Sequence, residues 1–108
     1  MMTTQEVFEE LKGRLAQKPA AQLAGSQGTY QFVLTGDDGA EYFVVVGADG
    51  AKVESGKADN AGVTITMSAS DFKDLASGKL NPMTAFMGGK LSVGGDMSMA
   101  LKLQTLIS

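Results

Sequence analysis

Two glycine pairs, Gly88-Gly89 and Gly94-Gly95, bracket Lys90 to Val93, and Asp96 opens the apolar run that follows. A glycine-rich turn leading into a helix can cradle phosphate with its backbone amides. The spacing here matches neither G-x-x-x-x-G-K-[ST] nor G-x-G-x-x-G. Gly89-Lys90 resembles the end of the first motif, but Leu91 stands where a hydroxyl would meet magnesium. The plainer reading is that one pair ends a helix and the other permits a sharp strand-to-helix corner. Lys90 and Ser92 would share one strand face, which makes a Ser-Lys nucleophile chemically conceivable, but nothing in the sequence raises it above a plain solvated strand face. The chain has no histidine and no cysteine. That removes the usual general base, the thiolate nucleophile, Cys/His zinc sites and disulfides. Asp37-Asp38-Gly39 and Asp49-Gly50 are hairpin signals, without the ligand ladder and distal glutamate of a calcium loop. Asp71 and Asp74 fall in a first helical turn, where the dipole favours acids. No catalytic residue, metal site or cofactor motif is therefore expected.

Methionine is the other conspicuous residue type. Five of the seven (Met67, Met83, Met87, Met97 and Met99) lie in the second half of the chain. Ordinary core packing accounts for such a distribution. So does a surface that adapts to varied apolar ligands, for which the flexible, polarizable thioether is suited. Met83, Phe86, Met87 and Met99 fall in segments expected to be helices covering a sheet, and loosely packed helices of this kind can hold an apolar cavity.

The elements that must position these residues follow from periodicity. Thr3 and Glu6 have capping-box spacing, and Val7, Phe8, Leu11 and Leu15 recur on one helical face. Pro19 and Gly25 mark the exit, with a short helical turn around Ala20 to Leu23. "TYQFVLT" alternates as a strand, with Tyr30, Phe32 and Leu34 on one face. "EYFVVV" is apolar on both faces, which suits a central strand or one covered on both sides. "AKVES" is a short third strand. "VTITM" turns Val63, Ile65 and Met67 inward. Ser68 or Ser70 caps a helix through "DFKDLAS", which Gly78 stops. Asn81-Pro82 starts another helix, with Met83, Phe86 and Met87 on one face. "KLSVG" is a fifth strand with Leu91 and Val93 paired on one face. Asp96 caps a single last helix whose apolar side is Met99, Ala100, Leu103, Leu106 and Ile107. Helix, four strands, two helices, strand, helix describes one sheet with helices on one face, an α+β arrangement.

The chain has 108 residues, 44% of them hydrophobic, and a formal net charge of -3. One domain spanning 1–108 is the natural count. No basic stripe presents itself to a phosphate backbone, so nucleic acid is not an expected partner. The negative balance disfavours docking on anionic membranes by charge alone. No apolar run approaches the roughly 20 residues that span a bilayer. "MMTTQEVFEELK" is too polar and acidic for a signal or transit peptide, which makes a cytoplasmic protein the default expectation.

Asp71 to Leu106 resembles the C-terminal signature of the sterol carrier protein type 2 family. Gly78, Lys79, Leu80, Pro82, Ala85, Phe86, Gly89, Lys90, Leu91, Gly95, Asp96, Lys102 and Leu103 carry the match. The N-terminal "VFEELKGRL" and the hairpins follow the family layout more loosely. The resemblance implies a five-stranded, largely antiparallel sheet covered by helices on one face, with a three-strand meander and a crossover to the fourth strand. It also implies a hydrophobic tunnel that holds fatty acids, fatty acyl-CoAs, sterols, phospholipids or detergents without catalysis. Carried onto this chain, the lining would be Phe32, Leu34, Ile65, Met67, Phe72, Leu75, Met83, Phe86, Met87, Leu91, Val93, Met99, Leu103 and Leu106. The Ser-Lys-Leu-like peroxisomal address of some members is replaced by Leu106-Ile107-Ser108. The expected function is thus non-catalytic lipid binding or transfer, with a fatty acyl or other lipid ligand and no cofactor. Transient membrane contact and a monomeric or weakly dimeric state belong to the same expectation. A cavity of roughly 300–1,000 Å³ is expected. A sixteen-carbon chain would gain on the order of 12 kcal/mol gross on burial, less the costs of immobilisation. The alternative is an accessory interaction or dimerisation module of the same fold with a filled core.

Overall fold

A computed structural model describes residues 2–107. Helix α1 (Thr4–Gln17) opens on the expected capping box: the Glu6 amide donates to Thr3 Oγ1 at 3.1 Å, and the Thr3 amide donates to Glu6 Oε1 at 2.8 Å. These bonds satisfy two amides that the first turn leaves unpaired, and the bond that the Thr3 amide donates, more than any other cause, holds the Glu6 carboxyl below its ordinary pKa. Val7, Phe8, Leu11 and Leu15 are buried. A short helix α2 (Ala20–Leu23) follows Pro19.

Three strands then form an antiparallel meander: β1 (Gly28–Thr35), β2 (Ala40–Gly47) and β3 (Gly50–Ser55). The chain crosses back to β4 (Val63–Ser68), which pairs parallel with β1, and later adds β5 (Leu91–Gly95) antiparallel to β4. The order β3-β2-β1-β4-β5 makes a mostly antiparallel α+β sheet, as expected. Its inner face carries Tyr30, Phe32, Leu34, Val44, Val46, Val63, Ile65 and Met67, all buried. The run "EYFVVV" is flanked by strands on both sides, yet helices cover only one of its faces: Val44 and Val46 are buried, whereas Phe43 and Val45 are half-exposed.

Gln31 lies on the opposite face and is also buried, because the β3–β4 crossover passes over it. Its Nε2 donates to the Tyr42 and Gly56 carbonyls, both at 3.0 Å, and its Oε1 accepts from the Ala58 amide at 2.7 Å. One fully bonded side chain thus fastens a loop that has no ladder of its own.

Helices α3 (Ala69–Ala76) and α4 (Pro82–Met87) connect β4 to β5, with Ser68 and Asn81 accepting from first-turn amides. Phe8 joins α1 to this layer. It stacks on Tyr42 (centroids 4.0 Å) and Phe72 (4.8 Å) and meets Phe32 edge-on (5.8 Å). Such ring pairs stabilise beyond their buried area. Arg14 Nη1 donates to the Ala76 carbonyl at 3.1 Å and the Ile107 carbonyl at 3.0 Å, so it ties the ends of two later segments to α1. Asp38, in the β1–β2 turn, accepts from the Thr4 amide at 2.6 Å and from Lys73 Nζ at 2.9 Å. These bonds, the lysine's first, hold its carboxyl below the usual carboxylate range.

The last segment departs from the single helix expected. It forms α5 (Met97–Ala100) and α6 (Leu103–Ile107), broken at Leu101 and Lys102. The two pieces are held by different supports. Lys102 donates to the Gly25 carbonyl. Met99 sits in a slot between Gly28 and Gly62, where a β-carbon on either glycine would come within 2.4–2.5 Å of its side chain.

Candidate functional site

The corner that builds the site is Gly94-Gly95-Asp96. Gly95 has φ +94°, and a β-carbon there would stand 2.6 Å from the Gly62 carbonyl oxygen. Only glycine fits both constraints. The turned chain is fixed by the Asp96 amide donating to that same oxygen at 2.9 Å. The Asp96 carboxylate caps α5, accepting from the Ser98 hydroxyl at 2.6 Å and the Ser98 amide at 2.9 Å. Those bonds keep its pKa below the ordinary aspartate value. The result is that α5 leaves the end of β5 and folds back beside α4.

Between them is an apolar cleft of about 240 Å³. Its floor is Leu91 and Val93 of β5. One wall is Pro82, Met83 and Phe86 of α4; the other is Met97, Ala100, Leu101 and Leu103. Among the described residues no charged or hydrogen-bonding side chain belongs to the lining, and the cleft offers shape and apolar surface to a ligand. Its volume lies somewhat below the 300–1,000 Å³ expected from the sequence. Two larger clefts, of about 300 and 360 Å³, are more polar, one beside Arg14 and Ser77 and the other beside Lys18 and Asp49. Among the described residues no cluster of three acids, histidines or cysteines could hold a metal ion.

The structure brings five of the fourteen expected lining residues to the apolar cleft: Met83, Phe86, Leu91, Val93 and Leu103. Phe32, Leu34, Ile65, Met67, Phe72, Leu75 and Leu106 are buried in the continuous core under α1 and α3, where Phe8 and its ring neighbours occupy the space. Met99 is in its glycine slot. Met87 lies outside the cleft lining and is 80% exposed, because Ala85 rather than the methionine is the fully buried residue of α4. Pro82, Met97, Ala100 and Leu101 join the lining without having been expected there. Met97 and Leu101 are four apart, a spacing that puts both on one helical face. That face was hidden by assigning the apolar side to Met99 and Leu103, which a single unbroken helix would favour.

A small α+β domain with a cap-shaped layer of short helices around an apolar cleft is the class of protein that these elements define. The chain belongs to the SCP-2 sterol transfer family, whose sequence pattern it matches over residues 8–108. Hydroxysteroid dehydrogenase-like protein 2 of Xenopus tropicalis is 36% identical over 104 residues, covering 95% of this chain and 24% of that protein. The chain spans about a quarter of the length of this curated relative. The solution structure of sterol carrier protein domain 2 of Helicoverpa armigera is 34% identical, with a TM-score of 0.70, covering 92% of this chain and 80% of that one. Palmitated SCP2L2 from Aedes aegypti, also solved in solution, has a TM-score of 0.82 over 98% of this chain and 95% of that one. At 23% identity that last likeness concerns the fold alone. No helix among the described residues is long and apolar enough to cross a membrane.

Proposed function

We propose that this domain binds and carries a lipid with a long apolar chain, of the fatty acyl or sterol class, and performs no reaction on it. The observation that carries this reading is a cleft whose described lining is all apolar, its two walls built on α4, α5 and α6, helices of six residues or fewer. Helices this short have little stability of their own, so they can shift against β5. Such a shift would let the cleft enclose a long chain. At about one water volume, ~30 Å³, per carbon, a sixteen-carbon chain needs roughly 480 Å³, about twice what the cleft offers. The wall that yields is α4, whose buried anchorage is Ala85, whereas α5 is held by Asp96 and Met99. Family membership and the palmitated Aedes neighbour support a fatty acyl ligand.

The test uses Phe86→Trp, a probe in the yielding wall at a position that is 40% exposed and tolerates the larger ring. Addition of palmitate is expected to shift the indole emission to shorter wavelength and saturate, and native mass spectrometry is expected to show the added mass. Binding without any change at position 86 would remove the cleft as the site. The absence of binding, together with lipid-free protein from the expression host, would overturn the carrier reading. It would favour the second one, an accessory module of larger proteins, which the closed core under α1 and the short span of the Xenopus relative covered by this chain would suit.

A further inference from the structure

Two residues of the cleft lining carry sulfur: Met83 on the α4 wall and Met97 on the wall facing it. Their thioethers hold the only side-chain lone pairs in the described lining, in a chain with no cysteine and no histidine. Both stand at the rim, 48% and 45% exposed, above a floor of Leu91 and Val93. The other described methionines are placed differently. Met67 is in the core and Met99 in its glycine slot. Met87 is 80% exposed but lies outside the cleft lining. Met2, 42% exposed, lines a small pocket beside Val7 and Arg14. Met83 and Met97 thus match Met2 in exposure to solvent and differ from it in facing an apolar cleft.

We propose that Met83 and Met97 reduce lipid hydroperoxides bound in the cleft. A thioether is a soft, polarizable group whose oxidation takes up one oxygen atom. An intact acyl chain or sterol offers it no such atom; a peroxidised lipid does. The apolar chain of that lipid lies over the floor. Its hydroperoxide group is costly to bury without hydrogen bonds, so it stays at the wet rim, where the two sulfurs are. The sulfur attacks the terminal peroxide oxygen. An S–O bond forms as the O–O bond breaks, and the hydroperoxide's own proton passes to the departing oxygen. The lipid leaves as the alcohol, reduced by two electrons, and the methionine becomes the sulfoxide, oxidised by two. No further reactant is needed. Each sulfur acts once, until a sulfoxide-reducing enzyme restores it, so the step is stoichiometric rather than catalytic. This activity rests on the carrier reading for the binding of the chain and adds peroxidised lipids to what the cleft takes.

The experiment treats the full chain with hydrogen peroxide or with linoleic acid hydroperoxide and follows sulfoxide at each methionine by peptide mass spectrometry. Hydrogen peroxide is expected to oxidise by exposure: Met87 first, with Met2, Met83 and Met97 alike. The lipid hydroperoxide is expected to reverse that order. A bound chain presents its peroxide to the rim at an effective concentration in the millimolar range, so at ~0.1 mM in bulk Met83 and Met97 are expected to oxidise about tenfold faster than Met2 or Met87. One hydroxy acid is expected per sulfoxide, and excess palmitate is expected to abolish the preference by filling the cleft. Met87→Leu is expected to leave hydroperoxide consumption unchanged. Met83→Leu combined with Met97→Leu is expected to lower it to the rate of the remaining exposed methionines. The same order of oxidation with both reagents would overturn the proposal. So would a hydroperoxide that binds, seen as added mass by native mass spectrometry, and is recovered unchanged. In either case palmitate binding detected at position 86 leaves the carrier reading standing. If neither palmitate nor the hydroperoxide binds, the carrier reading falls and this activity with it.

Discussion

Two adjacent glycines offer a direct test of how the cleft is built. Gly94 and Gly95 have the same chemistry, but the structure assigns them opposite constraints. Alanine at Gly94 would meet no atom within 4 Å, and its backbone lies outside the left-handed region. The substitution there is expected to stabilise by about 0.4–1 kcal/mol, because alanine narrows the unfolded ensemble. Alanine at Gly95 must adopt φ +94°. Left-handed backbone costs roughly 1–2 kcal/mol for a residue with a β-carbon. That β-carbon would also stand 2.6 Å from the Gly62 carbonyl oxygen and 3.3 Å from Val63 Cα, both backbone atoms that cannot rotate away. Relieving the clash lengthens the Asp96–Gly62 hydrogen bond or strains the β4–β5 pairing, for a further 1 kcal/mol or so, within the range of locally stored strain. Gly95→Ala is therefore expected to lose about 2–3 kcal/mol, so the two variants differ by roughly 2.4–4 kcal/mol. A loss of 3 kcal/mol leaves a domain of ordinary stability folded at room temperature but lowers Tm by about 12 °C or more. Urea titration and thermal melts of the three proteins by circular dichroism measure both quantities. The reasoning is refuted if Gly95→Ala falls within about 1 kcal/mol of Gly94→Ala, or if both lose stability together.

Two further predictions address the polar ties. Gln31→Leu keeps a side chain of similar size but strands the Gly56 carbonyl and the Ala58 amide under the crossover; a loss of about 1–3 kcal/mol is expected, with faster hydrogen exchange at Ala58, and unchanged exchange there would refute the fastening role. Asp38 has a folded pKa below its unfolded value, so its contribution to stability is present at neutral pH and is lost as pH falls through the depressed folded value, below the usual 3.9 or so. In Lys73→Ala the Asp38 carboxyl titration, followed by NMR, is expected to move up toward the ordinary value; no movement would show that the lysine is not the main cause.

What the sequence made legible was local. The α1 capping box, the Ser68 and Asn81 caps and the inward alternation of Tyr30, Phe32 and Leu34 each depend on residues within a few positions of one another. Periodicity shows that a side chain faces inward, but not what meets it there. Phe32 and Phe72 face the interior as expected, and Phe8, 24 and 64 positions away, closes the space between them. Likewise, nothing near Met99 reveals that Gly28 and Gly62 form a slot for it, or that Lys102 reaches the Gly25 carbonyl. The last segment forms two short helices, and Met97 and Leu101, rather than Met99, line the cleft.

The helical layer is therefore divided between two tasks. The α1 and α3 half buries Phe8, Leu11, Phe72 and Leu75 against the sheet and makes a closed, aromatic-rich core. The other half consists of short helices with methionines over β5, none long enough to be stable apart from its anchors. Opening the cleft by moving α4, as proposed, would disturb the packing of Ala85, the bond from the Lys90 amide to the Ala85 carbonyl and the Asn81 cap, and would leave the Phe8 cluster untouched. The free energy of that opening would be set by those few contacts rather than by the stability of the domain, which is how local opening can lie far below global unfolding. A domain arranged in this way can keep a rigid core while one wall of its cleft adapts to what enters.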